Sequence, residues 1–159
     1  MAILLSVSCQ SPEKEAAKYY NRGIEKGIRG DSDGALTDFS MAIRIRPDFA
    51  EAYHNRGFYC HLPAGNLQLA YEDFDQAVTL LKDQGDAYSL SMRGITRLRL
   101  GDTLMALKDV ETSLARDSLN SYAWYNLARI RLAMRDTLAA CSEMEERRVG
   151  KECRSRWSP

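Results

Sequence analysis

The chain has 159 residues, of which 45% are hydrophobic and 28% charged, and its 22 basic residues balance its 22 acidic ones. This is the composition of one globular domain that is long enough to bury a core. Residues 147–159 hold five basic residues and one acidic residue, a net charge of +4, so the remainder carries −4 and shows no basic stripe that would follow a phosphate backbone. No run of about 20 apolar residues is present to cross a bilayer as a helix. The sequence therefore argues against nucleic-acid binding and against a helical membrane protein.

The first ten residues differ in character from the rest of the chain. They are mainly apolar up to Cys9, after which the sequence becomes polar. The segment resembles the end of a bacterial lipoprotein signal, in which a small residue, here Ser8, precedes a cysteine that receives a lipid. The resemblance implies a remnant signal or anchor over residues 1–10, lipidation at Cys9, and a place in the bacterial cell envelope, facing the periplasm or the surface. Ser6 stands where leucine is usual and no basic region precedes it, so a frayed, unprocessed terminus and a cytoplasmic location are the alternative.

A five-residue pattern recurs four times along the chain. It begins as YYNRG at residues 19–23 and YHNRG at 53–57, and looser copies follow as LSMRG at 90–94 and WYNLA at 124–128. Within each copy, apolar residues recur three and four positions apart, which is helical spacing. After the pattern comes a second series at fixed distances, for example Ala35, Phe39 and Ala42 after Gly23. Each copy therefore predicts two amphipathic helices.

A two-residue turn signal separates the two helices of each copy. Glycine closes a helix in the left-handed conformation, and Asp or Asn then caps the next helix. The four signals are Gly30-Asp31, Gly65-Asn66, Gly101-Asp102 and Arg135-Asp136. Each copy is therefore predicted to form a helix–turn–helix hairpin, over about residues 16–49, 50–84, 87–120 and 121–148. Small residues that end each pattern, such as Gly23, would let the paired helices approach closely.

The repeat resembles the tetratricopeptide repeat over about residues 13–148, because small, aromatic and alanine residues occupy that family's positions. The resemblance implies an all-α fold, a right-handed α-solenoid of four hairpins spanning residues 11–148. Three arginines (Arg22, Arg56 and Arg93) replace the leucine that usually precedes the glycine. Pro63 is a further departure, expected to add a residue to the second copy and to shorten the last turn of its first helix.

The resemblance also implies a function, because in this family the first helices line a concave groove that binds a peptide. The expected protein is a non-catalytic scaffold for protein–protein contact that needs no cofactor. The groove residues implied are Tyr20, Asn21, Ile24, His54, Asn55, Phe58, Tyr88, Met92, Ile95, Tyr122, Tyr125, Asn126 and Arg129. Three asparagines among them occupy equivalent positions, where an amide commonly bonds the backbone of an extended peptide. The alternative is that the asparagines only solvate the inner face and that several aromatic residues only pack between helices.

One well-known partner class of the family is not expected here. Chaperone cofactors hold a C-terminal carboxylate through lysine, asparagine and arginine at five positions, which in this chain are Tyr20, Ile24, Asn55, Tyr88 and Met92. Only Asn55 matches, so the carboxylate clamp is missing. The groove is instead aromatic and neutral, which favours an apolar or amphipathic partner segment.

Chemistry beyond binding finds little support in the sequence. Glu51, His54 and His61 lie on one predicted helix, so a small-ligand or metal-binding envelope protein is the alternative function, although Pro63 disrupts the last turn and no further ligand is evident. The cysteines have no metal-ligand spacing, and Cys60 and Cys141 are expected to be buried. No serine–histidine–acid trio or phosphate loop is apparent, so we do not expect an enzyme. A module that only spaces other domains is a third alternative.

The repeat pattern stops after Met144, and residues 149–159 form an irregular basic tail. We interpret this tail as non-native sequence at the end of a truncated gene fragment, because the pattern ends in the middle of a repeat. A genuine basic tail for anionic lipid or an acidic partner is the alternative. The sequence does not specify the partner or the oligomeric state.

Overall fold

The computed structural model describes residues 11–82 and 86–146, with side chains described up to residue 135. Every regular element in these ranges is helical. None of the described helices combines the length and the apolar character that a membrane span needs. The elements are α1 (Pro12–Ile28), α2 (Ser32–Ile45), α3 (Ala50–Arg56), a π-helical turn (Gly57–His61), α4 (Leu67–Leu81), α5 (Ala87–Arg99), α6 (Thr103–Arg116) and α7 (Ser121–Glu146).

Three antiparallel hairpins, α1–α2, α3–α4 and α5–α6, stack along the chain, and α7 packs on the third. The core consists of small clusters at the junctions. Phe39 and Ala35 pack with Cys60 between the first and second hairpins, whereas Val110 packs with Ile130 between α6 and α7. The predicted all-α solenoid is therefore confirmed.

Glycines stand where the paired helices cross. A Cβ atom on Gly23 would lie 2.8 Å from the Phe39 ring, and one on Gly57 would lie 3.1 Å from the Phe74 ring. At Gly94 it would lie 2.8 Å from a methyl group of Val110. Real Cβ contacts are rarely this short, so the predicted close approach at these three sites is confirmed.

The predicted turns form in three of the four copies. Gly30, Gly65 and Gly101 have φ angles of 81°, 74° and 92°, in the left-handed region that glycine adopts at little steric cost. Asp31 then caps α2 by accepting a hydrogen bond from the Gly34 N–H at 2.9 Å. Local sequence therefore determines where these hairpins turn.

The fourth hairpin does not form, and the predicted turn at Arg135-Asp136 is wrong. Instead, α7 continues without a break from Ser121 to Glu146. Arg135 occupies the position of the turn glycines, and a side chain with a Cβ atom disfavours the left-handed conformation that ends the other first helices. Ala128, the counterpart of the buried Gly23, is consequently exposed.

The extra residue of the second copy forms a π-helical turn and does not shorten the helix. Eight residue steps separate Gly57 from Gly65, against seven from Gly23 to Gly30. The Leu62 N–H donates to the Gly57 carbonyl oxygen at 3.0 Å, five residues back. One inserted residue in a helix is commonly absorbed in this way.

The three arginines that replace leucine each pair with a buried aspartate on the second helix of their hairpin. In the second hairpin, Arg56 Nε and Nη2 donate to the two Asp73 carboxylate oxygens at 2.9 and 2.6 Å. Arg56 Nη1 also donates to Ser40 Oγ of the preceding hairpin at 3.2 Å. The equivalent pairs are Arg22 with Asp38 and Arg93 with Asp109. These arginines therefore join both helices of a hairpin, and Arg56 also joins neighbouring hairpins.

Candidate functional site

An open cleft with a volume of about 210 Å³ lies where the second hairpin, α5 and the start of α7 meet. All but one of its lining residues were predicted for the groove; the exception is Tyr59. The lining residues are His54, Asn55, Phe58, Tyr59, Tyr88, Met92 and Tyr122. We call this site the aromatic cleft.

The walls of the aromatic cleft are aromatic rings that contact one another. Phe58 stacks on the His54 ring with centroids 6.3 Å apart and meets the Tyr59 ring edge-on at 5.0 Å. The rings of Tyr88 and Tyr122 meet with centroids 6.0 Å apart, and about half of each residue is exposed (46% and 54%). The π-helical turn supplies Phe58 and Tyr59. The extra residue before Gly65 was the only sequence signal for this arrangement.

A hydrogen-bond chain behind the cleft fixes the His54 ring. Asp86 caps α5 by accepting from the N–H groups of Tyr88 and Ser89 at 2.9 and 3.0 Å, and it also accepts from the Ser89 hydroxyl. Because the hydroxyl proton points to Asp86, Ser89 Oγ accepts from His54 Nδ1, 2.7 Å away. In the neutral ring, His54 Nε2 therefore has no proton, and its lone pair can accept a hydrogen bond.

Burial lowers the pKa of His54, and this effect outweighs the opposing attraction of Asp86. Since an imidazole titrates near pH 6.5 when unperturbed, His54 is neutral at pH 7. The neutral ring presents its Nε2 atom as a hydrogen-bond acceptor on the side away from Ser89.

His54, Ser89 and Asp86 together form a serine–histidine–acid cluster that the sequence did not reveal. Its geometry does not suit nucleophilic catalysis, because the Ser89 side chain is fully buried and Asp86 lies 3.5 Å from the same ring nitrogen that faces the serine. A catalytic triad places the serine and the acid on opposite ring nitrogens. The cluster therefore orients His54 and does not activate Ser89.

The three equivalent asparagines have three different surroundings. Asn55 Nδ2 donates to the Tyr20 hydroxyl at 2.8 Å, which leaves the Asn55 amide oxygen as an acceptor beside the cleft. Asn21 is exposed and borders a shallow depression next to Lys18. Asn126 is buried and donates to Ser91 Oγ at 2.9 Å, so its predicted place on the groove surface is wrong.

Other predicted groove residues lie outside the aromatic cleft. Ile95 is buried in α5, so its expected exposure is also wrong. The Tyr20 ring contacts the Phe49 ring in a tilted arrangement with centroids 4.7 Å apart, and with Ile24 it packs at the junction of the first two hairpins. Tyr125 and Arg129 lie exposed on α7, with the guanidinium 5.7 Å from the Tyr125 ring. The predicted lipidation site, Cys9, lies outside the described residues.

The histidines and acids of the second hairpin do not converge on a metal site. The described part of the chain contains no group of three or more side chains that could hold a metal ion. His61 Nε2 faces Asp73 at 3.5 Å, and Glu51 pairs with Arg46 at 3.7 Å. Cys60 is buried as expected, and burial raises the pKa of its thiol to about 11, so it is an inert core residue.

A relative with tetratricopeptide repeats matches about half of the chain. No family model matches the chain. A stretch of 74 residues is 39% identical to the tetratricopeptide repeat protein 36 homolog of Nematostella vectensis. The match covers 46% of this chain and 40% of that relative, less than half of its length.

Solved structures of tetratricopeptide-repeat domains share the fold over most of the chain. The first such domain of Spaghetti (RPAP3), bound to the HSP90 peptide SRMEEVD, has a TM-score of 0.71 at 23% identity and covers 77% of this chain and 94% of its own. The second domain of human RPAP3, in complex with the HSP70 peptide SGPTIEEVD, has a TM-score of 0.69 at 26% identity, covering 76% and 98%. The Sgt2 domain of Aspergillus fumigatus has a TM-score of 0.72 at 18% identity, covering 79% and 82%. The predicted tetratricopeptide-repeat architecture is confirmed.

Proposed function

We propose that this tetratricopeptide-repeat chain is a non-catalytic scaffold for protein–protein contact, and that an extended segment of a partner protein lies in the aromatic cleft. The observation that carries the proposal is the gathering of partly exposed aromatic side chains from three elements around one opening, with Phe58, Tyr88 and Tyr122 among them. Aromatic and methionine side chains are enriched where proteins bind one another. The peptides bound by RPAP3 domains of the same fold support this use of the surface.

The residues at the clamp positions support a partner other than a free C-terminal carboxylate. Tyr20 and Ile24 pack between hairpins, and Asn55 is bonded to Tyr20. Tyr88 and Met92 line the aromatic cleft and bear no charge. A carboxylate buried there would lack a positively charged partner, which is costly. An internal segment with an apolar body fits these surroundings better.

The two alternatives differ in what they require. A metal or small-ligand function lacks support, because Glu51, His54 and His61 face different partners. A module that only spaces other domains would need no open cleft, and its partly exposed aromatic side chains would have no role. The peptide-binding experiment described below distinguishes a spacer module from a scaffold.

The test is selection of peptides on the immobilised chain, followed by affinity measurement with cleft variants. We expect Phe58→Ala combined with Tyr88→Ala to weaken a selected peptide at least about tenfold, as loss of central aromatic contacts does at interfaces. The matched control is Leu69→Ala with Leu104→Ala, which truncates exposed side chains on α4 and α6. Equal binding by wild type and the cleft variant, or equal loss in both double variants, would argue for a different surface.

We also propose, from the sequence of residues 1–10, that Cys9 is lipidated and holds this scaffold at the bacterial cell envelope. The small residue before the cysteine and the preceding apolar run support this proposal. Expression with the native leader should give a mature chain that begins at Cys9 and carries diacylglycerol, detected by mass spectrometry. A product that retains an unmodified Met1 would contradict it.

A further inference from the structure

The aromatic cleft combines hydrogen-bond acceptors with a complete lack of positive charge among its seven lining residues. From this combination we infer that the cleft binds an arginine side chain of the partner segment. The inference rests on the proposed function and specifies the chemistry of its occupant.

Two polar residues of the cleft, His54 and Asn55, each provide an acceptor atom. The hydrogen-bond chain through Ser89 to Asp86 makes Nδ1 the protonated nitrogen of His54, so Nε2 accepts. One N–H of the Asn55 amide donates to the Tyr20 hydroxyl, and the amide oxygen is an acceptor. The tyrosine hydroxyl groups can rotate to either role. A guest that carries several donors therefore finds partners at the His54 ring, at the Asn55 amide oxygen and at the tyrosine hydroxyl groups.

Charge and ring faces favour the same guest. The Asp86 carboxylate lies 3.5 Å from Nδ1 of His54, a residue that lines the cleft, and gives this end of the cleft a negative field. The rings of Phe58, Tyr88 and Tyr122 attract a cation placed over their faces. A planar guanidinium can stack on such a ring and still donate from its edge, which an ammonium group does less well.

The chain already makes this contact within its own fold. The Arg46 guanidinium lies 3.4 Å from the centre of the Phe49 ring, and that of Arg97 lies 5.3 Å from the centre of the Tyr71 ring. By contrast, the peptides bound by the RPAP3 domains end in acidic residues, as in SRMEEVD. The aromatic cleft is thus expected to prefer a charge opposite to that of those peptides.

The test uses three acetylated and amidated heptapeptides that differ only at the central residue, which is arginine, leucine or glutamate. Each is titrated into the isotope-labelled chain at pH 7.5, and binding is followed by the NMR signals of Tyr88 and Tyr122. We expect the arginine peptide to bind about tenfold more tightly than the leucine peptide, as a partly desolvated cation–π contact would give, and the glutamate peptide to bind most weakly.

Charge substitutions at Asn55 sharpen the test. Asn55→Asp reverses the bond, so that the Tyr20 hydroxyl donates to the new carboxylate, and it adds a negative charge; affinity for the arginine peptide should therefore rise several-fold. Asn55→Lys should reverse the order of the arginine and glutamate peptides. The matched control is Asn21→Asp, the same change at the equivalent exposed position of the preceding repeat, which should leave all three affinities unchanged.

Two results would overturn the inference. In the first, the leucine peptide binds the cleft as tightly as the arginine peptide; the proposed scaffold function then stands and only the chemistry of the guest is wrong. In the second, none of the three peptides shifts the Tyr88 and Tyr122 signals at millimolar concentration. The peptide-selection experiment then decides separately whether the scaffold function fails as well.

Discussion

The pair formed by Arg56 and Asp73 should show a strong non-additive effect on stability. The Asp73 side chain is 5% exposed and that of Arg56 is 21% exposed, and two short hydrogen bonds join them. A family leucine would normally occupy the arginine site. The fourth copy supports an apolar replacement, since its Leu127 is buried against Val110 and Ala106 at the corresponding position.

The magnitudes depend on which charge is left behind. Arg56→Leu leaves the nearly fully buried Asp73 carboxylate without its partner, which should cost about 3–5 kcal/mol. Asp73→Ala leaves a guanidinium that can reach water, so its cost should be about 1–3 kcal/mol. The double variant leaves no unpaired charge and should cost about 1 kcal/mol or less. The coupling energy between the sites is therefore expected to be several kcal/mol.

Urea denaturation followed by helical circular dichroism at pH 7 measures these free energies of unfolding. A surface control is Arg29→Leu, which breaks a 3.9 Å pair with Glu25 whose two side chains are 68% and 70% exposed; its cost should stay below about 1 kcal/mol. If the double variant loses the sum of the single losses, the arginine and aspartate act independently and the assignment of a buried ion pair is refuted.

Three further predictions concern packing, backbone and protonation. Phe74→Ala should cost about 3–5 kcal/mol, seen as a lower melting temperature, because Phe74 is fully buried; an unchanged melting curve would contradict the stacking. Lys82→Gly should stabilise by about 0.5–1 kcal/mol, because Lys82 has a φ of 40° and the steric cost of that conformation, about 1–2 kcal/mol, exceeds the entropy cost of a glycine; a lower melting temperature would count against this. Burial lowers the pKa of His54 and His61, so the unfolded chain binds more protons below about pH 6.5 and the free energy of unfolding should fall from pH 7.5 to pH 5.5. The same urea measurement on the His54→Gln, His61→Gln variant should give a flatter profile, and an equally steep one would contradict the assignment.

Turns and helix crossings could be predicted because they depend on single residues and local sterics. A glycine is needed where φ is positive, and Gly30, Gly65 and Gly101 marked three of these sites correctly. The same rule, applied strictly to Arg135, would have predicted the uninterrupted α7, since only Asp136 of that turn signal was present. The turn at Arg135-Asp136 was predicted only because the other repeats turn at this position, although the glycine that ends their first helices is missing here.

Side-chain roles within the groove could not be predicted, because they depend on the neighbouring hairpin. Asn55 and Asn126 occupy the same position of their repeats, yet one meets a tyrosine hydroxyl and the other a buried serine. The place of a residue within its repeat determines which position of the preceding repeat its side chain contacts, but not which amino acid stands there. Whether it remains available to a partner depends on the size and polarity of that neighbour.

The aromatic cleft opens at the second junction between hairpins because three equivalent repeat positions hold different residues there than at the first junction. At the first junction, Tyr20 meets Phe49 and Ala52, and these apolar residues fill the space between hairpins. At the second junction, the same three repeat positions hold His54, Asp86 and Ser89, which bond to one another.

The polar atoms of His54, Asp86 and Ser89 bond to one another, because buried polar atoms need partners, and the aromatic residues beside them leave the cleft open. The exchange of aromatic for polar residues at these three positions is visible in the sequence once the repeats are in register. This exchange locates the aromatic cleft at the second junction. It predicts that the triple variant His54→Tyr, Asp86→Phe, Ser89→Ala would close the cleft, abolish peptide binding and be more stable than the wild type.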